Sequence, residues 1–154
     1  MFSVITLEKI MKNYSFAGVL LAGLFCFSSL SYADVANEQG TEIVKNAIQD
    51  IWVNHNFDKV DQYYASDFQG YEEAVLFNRE QLKEYAKEDE KEYVTRKINI
   101  NDTIIEGNKV VVRMTMQAVD KKTQKPVTSY AIAIYQIHDQ KIARVWMAAE
   151  PSLI

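Results

Sequence analysis

Apolar positions along the chain change period once, near Tyr93, and that change divides the sequence into a helical part and a strand part. From Thr41, the residues Ile43, Val44, Ala47, Ile48, Ile51 and Trp52 recur at three- and four-residue spacing, which predicts a first amphipathic helix. Asn54-His55-Asn56 breaks it. Asn56 is placed to cap a short second helix that turns Phe57, Val60 and Tyr63 or Tyr64 inward, and Ser66 to Tyr71 reads as an exit turn and a short strand. Asn78 with Gln81 three residues on has the form of a capping box, with Phe77 and Leu82 at staple positions around it. The third helix that follows has a thin apolar stripe, Leu82, Tyr85, Ala86 and Tyr93, beside the charge run Lys87 to Glu92, which reads as a solvated face.

Beyond Tyr93 the period is two. Val94 to Glu106, Lys109 to Val119, Val127 to His138 and Lys141 to Ala149 are the predicted strands. Gly107-Asn108, the Asp120-to-Pro126 loop and Asp139-Gln140 join them as hairpins. Val110, Val112, Met114, Met116 and Ala118 share one face of their strand. In the last strand Ala143, Val145, Met147 and Ala149 form an apolar row, and Ile142, Arg144, Trp146, Ala148 and Glu150 a mixed one. Helices first and long strands afterwards predict an α+β fold, a curved antiparallel sheet wrapped around three N-terminal helices with its apolar face inward. The mixed face, with Tyr130 and Trp146, suits a second subunit.

The region before the first helix has a different character. Lys9 and Lys12 precede an apolar block from Phe16 to Leu30, and Ser31-Tyr32-Ala33 offers small residues at a cleavage site. This is the pattern of a secretory signal peptide over residues 1–33, with Met11 a second candidate start and a retained membrane anchor the alternative. The expected mature domain, 34–154, is about 120 residues long, enough for one core and one domain. The chain's single cysteine, Cys26, leaves with the leader, so a periplasmic or secreted product would be held by packing alone. The chain carries 17 basic and 21 acidic residues, net −4, and has no basic stripe. Nucleic acid and, after cleavage, membrane surfaces are therefore not expected partners.

The stretches VKNAIQDIWVNHNFDKVDQYYASDFQGY, FNREQLKEYAKEDEKEY, IIEGNKVVVRMTM and YQIHDQKIARVW, in this order and spacing, resemble the SnoaL-like group of the nuclear-transport-factor-2-like superfamily. The resemblance spans roughly residues 41–150. It implies a cone: three helices packed in the concavity of the sheet, a pocket at the mouth, and often a dimer through the sheet. Its members include polyketide cyclases, steroid isomerases and dehydratases. Cyclases of the aldol type usually carry a His after the second helix, and a His and an Asp flanking the Trp of the last strand. Here those places hold Gly70-Tyr71, then Val145 and Met147 around Trp146.

The resemblance leaves two carboxylates as candidate catalysts. Glu150 lies near where some cyclases place an acid, and Glu72 near the general base of the steroid isomerases. Exposed side chains are the alternative reading of both. Tyr63, Tyr64, Tyr71 or Tyr130 would serve as oxyanion donors. His55 and His138 lie on unrelated elements without cysteine partners, so no metal site is expected, nor any cofactor. The leading expectation is a small apolar molecule bound in a central cavity lined by Trp52, Tyr64, Tyr71 and Trp146, in a homodimer. Cofactor-free isomerisation, cyclisation or dehydration, and a purely non-catalytic dimerisation module, are the alternatives.

Overall fold

The computed structural model describes residues 28–151. Most of the leader expected over 1–33 lies outside them. The chain divides into a unit over Met1–Ala36 and a unit over Asn37–Ile154. The described part of the first unit is helical from Ser28. Everything below concerns the second.

Helix α1 (Ser28–Ala47) begins before Thr41, where apolar spacing alone started it, and runs into one wider turn of π-helix over Ile48–Val53. The Asn54 backbone N–H donates to the Gln49 carbonyl across that turn at 2.9 Å. Val44, Ala47, Ile48 and Ile51 are buried on the face that the spacing selects. A 3₁₀ turn (Phe57–Lys59) leads into the short α2 (Val60–Tyr63). Asn56 precedes that turn without a side-chain cap, which corrects the capping role expected for it. Both Tyr63 and Tyr64 are buried, because the chain changes from helix to strand between them. Strand β1 (Tyr64–Glu72) pairs with β2 (Val75–Asn78), a strand that periodicity did not reveal, and β2 feeds α3 (Arg79–Glu92). The α3 start is the capping box read from the sequence. Gln81 N–H donates to Asn78 Oδ1, and Asn78 N–H to Gln81 Oε1, each at 3.0 Å.

Strands β3 (Tyr93–Glu106), β4 (Lys109–Asp120), β5 (Pro126–His138) and β6 (Lys141–Pro151) follow as an antiparallel meander, with the expected hairpins. Asp139 and Gln140 both have positive φ, 48° and 59°, the backbone a two-residue turn with the twist of its strands requires. The sheet order is β2-β1-β6-β5-β4-β3. β1 lies parallel to β6, with Gly70 opposite Val145 and Tyr71 opposite Trp146, so the sheet is mixed and not wholly antiparallel as expected. β1 and β6 can run parallel because a long connection, and not a hairpin turn, joins them.

This is an α+β fold in which a curved six-stranded sheet wraps around the helices. Its concave face supplies Val110, Val112, Met114, Ala131, Ala133, Tyr135 and Val145 to a core shared with Val44, Ile51, Val60, Phe68, Leu82 and Ala86. Each fully buried Val or Ile contributes about 1.5–3 kcal/mol of transfer free energy. Ile142 joins this core, although strict alternation put it in the mixed row. Between the pairs Gln136–Arg144 and Ile137–Ile142 the last strand has one extra residue, Ala143, a bulge that breaks its alternation before Val145. No described helix is long and apolar enough to cross a membrane.

Candidate functional site

Helices and concave sheet do not close on each other completely. Between them lies a cavity of about 380 Å³, a size that suits a small organic ligand. Trp52 enters it from the π-helical turn, together with Ile48 one turn earlier. Tyr64 and Phe68 of β1 and Phe77 of β2 form one wall, and Met114, Met116, Tyr135, Val145 and Met147 of the meander form the other. Gly70 belongs to this geometry, since the Phe77 ring lies over it where any larger side chain would stand. The Tyr64 and Tyr135 phenols are both held above the ordinary tyrosine range, each chiefly by burial, and Tyr135 also by the neighbouring Tyr64. Both therefore remain protonated hydrogen-bond donors at neutral pH.

The polar groups gather at one end. Glu72 from β1, Tyr85, Glu88, Asp89 and Glu92 from α3, and Arg96 from β3 line the cavity there. Asp89 accepts from the Arg96 guanidinium in a close ion pair. Burial pushes the Asp89 carboxyl above its usual range, with the charges of Arg96 and His55 pulling the other way. Arg96 in turn lies over the Tyr93 ring, 5.2 Å from its centroid. His55 is held at φ 56° with its Nδ1 buried and without a partner, and its ring faces Phe57 at 6.0 Å.

Of the residues singled out from the sequence, Trp52, Tyr64 and Glu72 line the cavity together. Tyr71 and Trp146 are absent from its lining and stack on each other, centroids 5.8 Å apart and planes 6° apart. Strand parity explains this placement. Phe68, Gly70 and Glu72 share the concave side of β1, which leaves Tyr71 on the convex side with Trp146 of the adjacent strand. Glu150 is convex for the same reason, paired in register with exposed Tyr130, while Ala149 beside it lines the cavity. Glu72 and Glu150 thus stand on opposite faces of the sheet and do not form one site.

Asp89 lies inside the charge run read as solvated, and Arg96 stands four residues beyond it, in β3. A signal was available for both. Asp89 follows Leu82 and Ala86 by seven and three residues, on the buried stripe of α3, and Arg96 precedes Ile98 and Ile100 on the inward row of β3. A charge on an apolar row marks either an interior ion pair or a site. Among the described residues no group of three or more His, Cys, Asp or Glu is arranged to hold a metal ion.

Solved structures share this architecture. A candidate polyketide cyclase from Acidithiobacillus ferrooxidans superposes with a TM-score of 0.64 at 16% identity, covering 73% of this chain and 88% of its own. A candidate hydroxylase from Streptomyces galilaeus gives 0.68 at 12%, covering 74% and 90%. An epoxide hydrolase from M. tuberculosis gives 0.62 at 14%, covering 74% and 84%. At such identities the likeness is one of fold. No curated protein matches the sequence. The model of one family, described as SnoaL-like polyketide cyclase, matches residues 42–151, which is nearly all of the folded unit. With that match and the helix-filled curved sheet, the chain belongs to the SnoaL-like polyketide cyclase family.

Proposed function

We propose that this protein is an exported carrier or receptor for a small, largely apolar molecule, which it holds in the cavity between its helices and its sheet. The observation that carries the reading is the cavity itself: about 380 Å³, walled by Trp52, Tyr64, Phe68, Phe77, Met114 and Met116. A wall of aromatic rings and flexible thioethers adapts to an apolar ligand and excludes water from it. The same side chains, had they served only as core, would have closed on one another at native packing density. Export rests on the basic, apolar and small-residue order of residues 1–33. Assembly as a homodimer through the convex face rests on its exposed apolar residues, Ile104, Tyr130, Ile132 and Trp146.

Native mass spectrometry of the protein expressed with its own leader in an exporting host tests the whole reading. The expected species begins near Asp34, has twice the chain mass and carries an adduct of a few hundred daltons. A species with no adduct, even after incubation with apolar and steroid-like panels, would remove the ligand-binding reading and leave a non-catalytic dimerisation module in front.

A second reading, proton transfer at a carbon acid, has one observation in its favour. Glu72 and the protonated phenols of Tyr64 and Tyr135 line the same cavity, a base and donors for a developing oxyanion. Under it, Glu72→Gln lowers kcat on any substrate found by at least about 100-fold, the span of a lost general base, and leaves binding intact. Unchanged turnover would eliminate it.

A further inference from the structure

Asp89 and Arg96 are out of place in the cavity wall. Their side chains are only 15% and 12% exposed, whereas Glu72, Tyr85, Glu88 and Glu92 at the same end of the cavity are exposed. One Asp89 oxygen, Oδ1, accepts from Arg96 Nη2. The other, Oδ2, and the Arg96 Nε are closed to solvent and have no hydrogen-bond partner among the described residues. Leaving such atoms without partners costs free energy, and an apolar pair of similar volume would serve stability as well or better. Fold stability therefore does not account for this pair.

Its unmet valences describe a complement. Nε–H is a donor and Oδ2 an acceptor, carried by the two partners of one ion pair. A group that carries an acceptor and a donor side by side would meet both. It is not an anion, because the Arg96 charge is already met by Asp89 and because Glu72, Glu88 and Glu92 surround the same end of the cavity. We propose that the Asp89–Arg96 pair is the recognition point for the polar end of the cavity's ligand, and that this ligand is a neutral molecule whose apolar body bears a hydrogen-bond acceptor and donor side by side, as in a primary carboxamide. The inference rests on the cavity-binding reading above and names its ligand class. The ligand carbonyl accepts from Arg96 Nε–H, and its N–H or O–H donates to Asp89 Oδ2, after a small rotation of the pair toward the cavity. The apolar body lies against Trp52, Phe68, Met114 and Met116.

Titration calorimetry of the exported protein with three probes of one shape tests this: naphthalene-2-carboxamide, 2-methylnaphthalene and naphthalene-2-carboxylate. The carboxamide is expected to bind at least about tenfold tighter than either of the others, the worth of two hydrogen bonds to charged partners after desolvation. A double variant, Asp89→Leu with Arg96→Leu, is expected to keep the wild-type circular dichroism and to bind carboxamide and 2-methylnaphthalene within about twofold of each other. Equal binding of those two probes by the wild-type protein would overturn the recognition point while leaving the cavity reading in place. Tightest binding of the carboxylate would overturn the neutral ligand class, and a carboxamide preference surviving in the double variant would overturn the role of the pair. Binding of none of the three would overturn this inference, and the family panel in the mass-spectrometric test would then decide the cavity reading separately.

Discussion

A single hydrogen at position 70 sets how much room the cavity has. Gly70 stands opposite Phe77 across the β1–β2 pairing, and a methyl group there would overlap the Phe77 ring. The Phe77 ring also packs against Phe68 and Tyr85, so it has little freedom to retreat. Gly70→Ala is expected to cost about 1–3 kcal/mol, the usual range for overpacking, and to weaken binding of any cavity ligand more than it lowers stability. Urea unfolding beside calorimetry on the same variant measures the two separately. Asp50 offers a residue-scale test of another kind. It accepts from Lys59 Nζ at 2.7 Å and from Tyr63 Oη at 2.5 Å, and these bonds, Lys59 first, hold its carboxyl below the usual range. A folded-state value below the unfolded one stabilises the fold above about pH 4, and that contribution is lost as the pH falls through the folded value. Asp50→Asn should therefore be less stable than wild type at pH 7, with the difference shrinking by pH 3 in parallel urea titrations.

At the scale of elements, α3 is positioned by its own first turn. The reciprocal Asn78–Gln81 bonds close two open backbone donors and aim the helix so that Leu82 and Ala86 face the core. Asn78→Ala is expected to lose about 1 kcal/mol of thermal-unfolding stability and to raise amide exchange in Arg79–Lys83 before the rest of the helix. This start was fully legible in the sequence, because capping depends on neighbours three residues apart. The four strands of the meander and their turns were legible for the same reason. Strand β2 was not, since Val75-Leu76-Phe77-Asn78 is too short to show a period and exists as a strand only by pairing with β1. The parallel partner of β1 was hidden too, being set by elements some seventy residues away in the chain. Site residues divide along the same line. Trp52, Tyr64 and Glu72, singled out by family station and by aromatic character, line the cavity. Tyr71 was placed in the cavity because parity within β1 needs a register that its sequence does not carry, whereas the parity of the last strand had already put Trp146 on the mixed face where it stacks on Tyr71. Asp89 was missed because its charge run was read by composition and not by helical phase, and Arg96 because the inward row of β3 was not followed back from Ile98.

For the folded unit as a whole, the convex sheet face is the feature without a counterpart among the described residues. Ile104 is 65% exposed, Tyr130 55% and Ile132 53%, and the Tyr71–Trp146 stack crosses the β1–β6 seam. Under the homodimer proposal, light scattering gives twice the chain mass for the processed protein, and Ile132→Lys lowers it to one chain without changing the far-ultraviolet spectrum. A wild-type monomer at micromolar concentration would refute that assembly. The seam beneath this face has a second consequence, in time and not in space. The β3–β5 meander forms from neighbours in sequence, whereas β1 meets its partner only when the final eleven-residue strand, β6, is available. Contacts between such distant segments form slowly, because a long loop must close before they return any free energy. A nascent chain still short of Lys141 would have its hairpins but not the cavity wall that β6 supplies. Substitutions along the Gly70–Val145 register would then slow refolding as well as weaken the fold, and under the cavity-binding proposal ligand-binding competence would appear at the last step of folding.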